Sequence, residues 1–137
     1  RERFSRDVTL QPRDISITPL DEQFLNKAIE AVEKHMDDEN YDLTRLREDM
    51  NMTRSTLFRK LHALTNQSTN EFIRTIRLKR AASLLMQRYG NVTQVSLEVG
   101  FTNLSYFNKS FKKLYRVSPM EYVKRHGVEE GAKSIDK

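Results

Sequence analysis

The sequence predicts an all-α fold of seven helices, in which two short helical hairpins of like pattern are joined by one long helix. Three observations predict it. Apolar side chains recur at helical spacing from residue 18 to residue 126, and no strand pattern of any strength follows residue 17. The stretch from Leu43 to Ile73 also repeats, position by position, between Val92 and Val123.

Residues 1–17 alternate polar and apolar around Val8, Leu10, Ile15 and Ile17, with Pro12 interrupting, and are expected to form an extended linker from an upstream domain. Thr18 and Pro19 then supply an N-cap and a proline for the first helical turn, with Asp21 and Glu22 placed to complement the helix dipole. Phe24, Leu25, Ala28, Ile29, Val32 and Met36 share one face, so this helix is expected over 19–38, closed by the acidic, turn-like 37–42. Asp42 or Thr44 is suited to cap a short helix through Met50, with Leu43, Leu46 and Met50 inward, and Asn51 fits a left-handed turn. Thr53 caps the next helix, whose inward residues are Leu57, Leu61 and Leu64. Ser68 or Thr69 opens a long helix expected to run to about Tyr89 and to stop at Gly90. Val92–Val99 forms a further short helix, Gly100 turns the chain, and Thr102 or Asn103 caps a helix with Phe107, Phe111 and Leu114 inward. Ser118 and Pro119 start the last helix, which reaches about His126, and 127–137 reads as a flexible tail.

The repeat is internally consistent. Leu43 to Thr53 aligns with Val92 to Thr102 at an offset of 49; one residue is then inserted, and at an offset of 50 Leu57, Leu61 and Leu64 fall on Phe107, Phe111 and Leu114. The match continues through Ser68/Ser118, Glu71/Glu121, Phe72/Tyr122 and Ile73/Val123. A short helix, a tight turn and a second helix with inward residues at i, i+4 and i+7 is the helix-turn-helix pattern, present about at 43–66 and again about at 92–116.

Charge is segregated along the chain. Residues 1–51 hold 8 basic and 13 acidic side chains, whereas 52–126 hold 14 basic and only 3 acidic ones, so the net charge of +5 hides a strongly basic stretch that spans both helix-turn-helix units. Such a stretch attracts a polyanion. The absence of cysteine excludes disulfides and thiolate metal sites and agrees with a reducing cytoplasm. No apolar run approaches a membrane span, and the N-terminus lacks a signal-peptide layout. With Arg1 in place of an initiator methionine, the chain is expected to be a piece of something longer. His35, His62 and His126 lack ligand spacing, and neither a nucleophile motif nor a glycine-rich phosphate loop is present, so neither metal binding nor catalysis is expected.

The second helix of each unit carries the chemistry. Outside its core positions the first presents Arg54, Ser55, Phe58, Arg59 and His62; the second presents Asn103, Leu104, Ser105, Tyr106, Asn108, Lys109 and Lys112. These hydrogen-bonding and cationic groups suit base edges and phosphates, and Phe58, Leu104 and Tyr106 suit thymine methyls. Phosphate contacts are expected from Thr53, Lys60, His62, Asn70, Arg74, Thr102, Lys112 and Lys113. A 20-residue linker helix would span roughly 30 Å, close to the ~34 Å repeat of B-DNA. Some cations of that helix are expected to lie over apolar surface or to pair with the acidic first helix. The alternative is a basic helical module that binds RNA or a protein partner.

The residues from Asp21 to Arg125 resemble the AraC/XylS family of transcription regulators, most densely over Leu78–Tyr122; the run VSLEVGFTNLSYFNKSFKKLYRVSP, Val95 to Pro119, looks like that family's signature. The resemblance implies double-stranded promoter DNA as partner, with two recognition helices entering adjacent major grooves. It implies base-reading by Ser55, Phe58 and Arg59 and by Leu104, Ser105, Tyr106, Asn108 and Lys109, with RNA polymerase as a further partner and no cofactor. Asn51 departs from the glycine frequent at its position, and Leu104 is less polar than many residues at its own. Residues 1–25 are similar to the segment that follows a receiver domain in hybrid two-component regulators of Bacteroides-like bacteria. That similarity implies a membrane-spanning sensor as the parent protein, dimeric at full length, with this domain on its cytoplasmic side.

Overall fold

A computed structural model describes residues 17–126; the expected linker over 1–16 and tail over 127–137 lie outside the described residues. Within that span are seven helices and no strand: α1 (Pro19–Lys34), α2 (Leu43–Asp49), α3 (Arg54–Thr65), α4 (Thr69–Met86), α5 (Val92–Glu98), α6 (Leu104–Tyr115) and α7 (119–126). The chain divides into two compact units, with the boundary between Arg77 and Leu78 inside α4.

In the first unit the Thr18 hydroxyl accepts from the Asp21 amide while the Asp21 carboxylate accepts from the Thr18 amide, so these two donors at the start of α1 are satisfied reciprocally. One face of α1 buries Leu25, Ala28, Ile29 and Val32 against Leu46, Leu57, Leu61, Phe72 and Ile76, contributed by α2, α3 and α4. The helix stops at Lys34 rather than Asp38. At His35 the i→i−4 ladder gives way to turns: its amide bonds to the Val32 carbonyl, its ring Nδ1 pairs with the Ala31 carbonyl, and the Asp38 amide bonds to the His35 carbonyl. The loop that follows is held by Arg77 of α4, which donates to the carbonyl oxygens of Met36 (2.7 Å), Asp38 (2.9 Å) and Tyr41 (3.2 Å). The same loop is tied by Asp38 to Arg45, by the Tyr41 hydroxyl donating to Asp49, and by the His35 ring stacked on Tyr41 at 4.5 Å.

The second unit buries Leu78, Ala81, Ala82, Leu84 and Leu85 of α4 with Val95, Val99, Phe101, Phe107 and Phe111. Here α4 ends at Met86 and not near Tyr89. Arg88 takes the left-handed conformation (φ 57°), its amide bonds to the Leu85 carbonyl, and the Tyr89 amide bonds to the Leu84 carbonyl, which is a Schellman ending. Gly90 therefore does not terminate the helix. A Cβ there would stand 2.6 Å from Gln94 Oε1, the atom that accepts from the Asn91 amide and closes the cap of α5. Leu114, expected inside, is 37% exposed. Tyr115 takes the inward place, packed on Phe111 and Tyr122, because α7 lays Tyr122 against that side of α6. Burial pushes the Tyr115 phenol above its ordinary pKa.

The repeat extends to backbone detail. The helices α2 and α5 have 7 residues each, and α3 and α6 have 12 each. The turns are left-handed at Asn51 (φ 56°) and Gly100 (φ 88°), each with the same pair of bonds: Asn51 to Glu48 and Met52 to Arg47, Gly100 to Leu97 and Phe101 to Ser96. After α3 and α6 the chain turns left-handed at Asn66 and Arg116, 50 positions apart. Ser68 and Ser118 then accept from the amides of Glu71 and Glu121 at the starts of α4 and α7.

Candidate nucleic-acid interface

Each unit holds its second helix by burying one side and leaving the other free. Leu57, Leu61 and Leu64 anchor α3, and Phe107 and Phe111 anchor α6. At about 100° per residue, Ser55, Arg59 and His62 form the centre of the opposite face of α3, and Ser105, Lys109 and Lys112 occupy the same three positions on α6. All six are exposed. Both helices thus carry a hydroxyl, a cation and an imidazole or a second cation in one column, a set able to donate to and accept from base edges and to bind phosphate.

The flanks of the column differ. Arg54, Thr56 and Phe58 of α3 correspond to Leu104, Tyr106 and Asn108 of α6. Phe58 is 43% exposed and stacks on His62 at 5.4 Å; Tyr106 is 48% exposed and leans on Phe101 at 5.8 Å; Leu104 is 38% exposed, while Asn108 is half-buried. An open groove of about 620 Å³ runs beside Phe58 between the first turns of α3 and α4, walled by Leu43, Arg54, Ser55 and Asn70 among others. The sequence reading omitted Thr56, Leu43 and the capping pair Ser68–Thr69 from this neighbourhood. The offset of 50 that pairs Thr56 with Tyr106 is the signal that finds Thr56.

Several expected contact residues have structural duties as well. The Thr53 hydroxyl accepts from the Thr56 amide (3.2 Å) and donates to the Thr56 hydroxyl, which also receives Arg59 at 3.4 Å. The Asn103 side-chain oxygen is engaged by the Tyr106 amide at 2.8 Å, leaving its NH2 as the group free to read. The Lys60 ammonium sits over the Phe24 ring of α1 at 5.4 Å, turned away from the central column of α3. Asn70 is exposed in the first turn of α4 and Arg74 is half-buried one turn on. Thr102 is exposed before α6, and Lys112 and Lys113 are exposed in its last turn, where they favourably meet the negative end of the helix dipole. Among the described residues no group of His, Asp and Glu is placed to hold a metal, and no helix is long and apolar enough to cross a membrane.

The chain matches the family model described as "Helix-turn-helix domain" over residues 46–125. It is 40% identical over 126 residues to histidine kinase P4 of Formosa agariphila, a match that covers 92% of this chain and 9% of that protein. It is 29% identical over 120 residues to the HTH-type transcriptional regulator MtrA of Neisseria gonorrhoeae, covering 85% of this chain and 40% of that one. The chain therefore spans less than half the length of either relative. The C-terminal domain of AraT, a response regulator from Geobacillus stearothermophilus, has the same fold, with a TM-score of 0.67 at 24% identity over 81% of this chain and 88% of that one. Two helix-turn-helix units in register, with the family match spanning both, make this chain a member of the AraC-type helix-turn-helix family, carrying the DNA-binding domain of a transcription regulator.

Proposed function

We propose that this domain binds duplex DNA sequence-specifically as the output domain of a bacterial regulator, with α3 and α6 each entering a major groove, the two grooves adjacent. The observation that carries the reading is the equivalence of the two outward columns, Ser55–Arg59–His62 and Ser105–Lys109–Lys112, each on a 12-residue helix behind a left-handed turn. Because the flanks of the columns differ, the site is asymmetric, with two unlike half-elements.

Arg54, Ser55, Phe58, Arg59, Asn103, Leu104, Ser105, Tyr106, Asn108 and Lys109 read bases in this proposal. Thr53, His62, Asn70, Arg74, Thr102, Lys112 and Lys113 contact phosphates, with Lys60 joining them once it leaves Phe24. The similarity to a histidine kinase supports a parent of the hybrid two-component kind. In this proposal the parent spans the membrane and the domain works on its cytoplasmic side, downstream of a receiver. RNA polymerase is the partner at the promoter. Dimerisation of that parent raises affinity through effective concentration.

Duplexes selected from a random pool, followed by binding of Arg59→Ala and Lys109→Ala, test the reading. Each variant is expected to relax preference at a different base position, in a different half-element, while log affinity falls linearly with log salt. Equal weakening on every sequence would reduce both side chains to phosphate contacts, and preference for RNA over duplex DNA would overturn the reading.

A further inference from the structure

The two units treat one tyrosine differently. In the first, the Tyr41 hydroxyl donates to Asp49 at 2.7 Å, and the residue is 2% exposed. Its ring is covered by the His35 ring, stacked at 4.5 Å, and by the Arg45 guanidinium, 5.1 Å from its centre. Arg45 also meets the charge of Asp49. In the second unit the Tyr89 hydroxyl donates to Glu98 at 3.0 Å, and Glu98 follows Asp49 at the repeat's own offset of 49. The tyrosine–acid pair is thus kept, but its cover is not. Tyr89 is 54% exposed, and Arg45 is replaced by Gln94, whose Oε1 is held by the Asn91 amide.

Beside this pair the surface is apolar where the first unit is charged. Leu97 is 55% exposed at the centre of the outward side of α5, opposite buried Val95, Ser96 and Val99. Its counterpart on α2 is Glu48, which is exposed as well. The same backbone therefore carries either residue, and packing within the unit gives no reason for leucine. Arg88, exposed and next to Tyr89 in the chain, adds a cation to this ring, leucine and anion. Such a set is self-complementary: turned about a twofold axis, the arginine of each copy meets the tyrosine and the glutamate of the other.

We propose that Arg88, Tyr89, Leu97 and Glu98 pair two copies of this domain about a twofold axis. Leu97, at the centre, packs on the partner's Leu97. Each Arg88 covers the partner's Tyr89 and meets the partner's Glu98, as Arg45 covers Tyr41 and meets Asp49 inside the first unit. A stable interface needs about 20–30 residues a side, far more than this surface supplies. The contact therefore holds no dimer in dilute solution. It acts where the parent protein or neighbouring DNA sites bring two copies together and raise their effective concentration.

The chain contains no cysteine, so one introduced thiol reports the contact. Leu97→Cys in the full chain, oxidised mildly at high protein concentration, is expected to form linked dimer about ten-fold faster than Leu20→Cys, although Leu20 is the more exposed at 75%. On the Leu97→Cys background, Arg88→Glu sets two glutamates face to face and Glu98→Arg sets two arginines face to face. Each is expected to lower the rate to that of Leu20→Cys. An equimolar mixture of these two variants restores opposite charges at both ends and is expected to regain linked dimer between unlike chains, which also shows both variants folded. Equal rates for Leu97→Cys and Leu20→Cys would overturn the proposal. Charge reversals that leave the rate unchanged would overturn it too, as would a mixture that regains nothing. No step of the test uses DNA, so its failure leaves the reading of the domain as a DNA binder untouched.

Discussion

Replacing Arg77 by methionine removes the tie between α4 and the loop that follows α1. The side chain is 6% exposed, and its guanidinium donates to the carbonyls of Met36, Asp38 and Tyr41 over distances of 2.7–3.2 Å. Burial lowers its pKa, offset by the nearby charges of Asp38 and Asp37, so part of the bonding gain is spent on desolvation. Hydrogen bonds to a charged group contribute about 1.5–3 kcal/mol each, or on the order of 5–9 kcal/mol for three before that desolvation is subtracted. Methionine fills much of the volume, and water reaches carbonyls at the loop edge, so a net loss of about 2–4 kcal/mol is expected for Arg77→Met. Arg77→Lys keeps the charge but not the fork that spans separate carbonyls, and should lose about half as much. Urea unfolding followed by far-ultraviolet circular dichroism reads the effect as a midpoint lowered by about 1–2 M. A midpoint moved by less than ~0.3 M would show that water serves these carbonyls equally well, and that the loop is held by Tyr41 and Asp38 instead.

The two turns give a matched pair: Gly100→Ala is expected to lose about 1–2 kcal/mol, because its φ of 88° burdens any Cβ, whereas Asn51→Gly is expected to gain up to about 1 kcal/mol; urea midpoints compare them. Asp38 gives a pH signature. The hydrogen bond from Arg45, and after it the Asn40 amide, holds its carboxyl below the ordinary range. A depressed carboxyl stabilises the fold above the unfolded-chain value and loses that contribution as pH falls through its lowered folded value. Asp38→Asn should therefore flatten the stability profile below about pH 4, and Arg45→Ala should raise the Asp38 pKa measured by NMR; an unchanged Asp38 titration in Arg45→Ala would refute the pairing.

Most of the frame was legible because its signals are local. Caps at Thr18, Thr53, Ser68 and Asn103, left-handed turns at Asn51 and Gly100, and apolar spacing each act within a few residues, and from Leu43 onward the repeat supplied each signal twice. Long-range contacts were not legible. Cations of α4 were expected to lie over apolar surface or to pair with the acidic first helix, and nothing in its sequence neighbours shows that Arg77 instead binds carbonyls of the loop after that helix, 36 to 41 positions away. Gly90 misled because glycine serves both as a helix stop and as room for a neighbour. Here Arg88 makes the stop, and Gly90 leaves space for Gln94. Exposure at Phe58, Leu104 and Tyr106 followed from spacing, but the half-buried state of Asn108 and the engagement of Lys60 with Phe24 depend on rotamers and on which helix lies alongside.

The single inserted residue is where the two copies part in backbone as well as chemistry. Four residues, Met50 to Thr53, join α2 to α3, whereas five, Val99 to Asn103, join α5 to α6. The left-handed residue and the position after it stay in register, and the caps Thr53 and Asn103 correspond, so the extra residue falls at Thr102, which the sequence alignment had paired with Thr53. A four-residue link brings Thr53 to the cap, with its short hydroxyl shared between the amide and the hydroxyl of Thr56; the longer link brings Asn103, whose side-chain oxygen accepts from the Tyr106 amide and whose NH2 still has donors to spare. Positions that fix turns and caps cost on the order of 1–2 kcal/mol to change, whereas outward positions cost the fold almost nothing. Divergence between two copies is thus expected on the outward flank and in the link before the reading helix. Those are the places where Asn108 stands at the position equivalent to Phe58, Leu104 at that equivalent to Arg54, and Thr102 is the added residue.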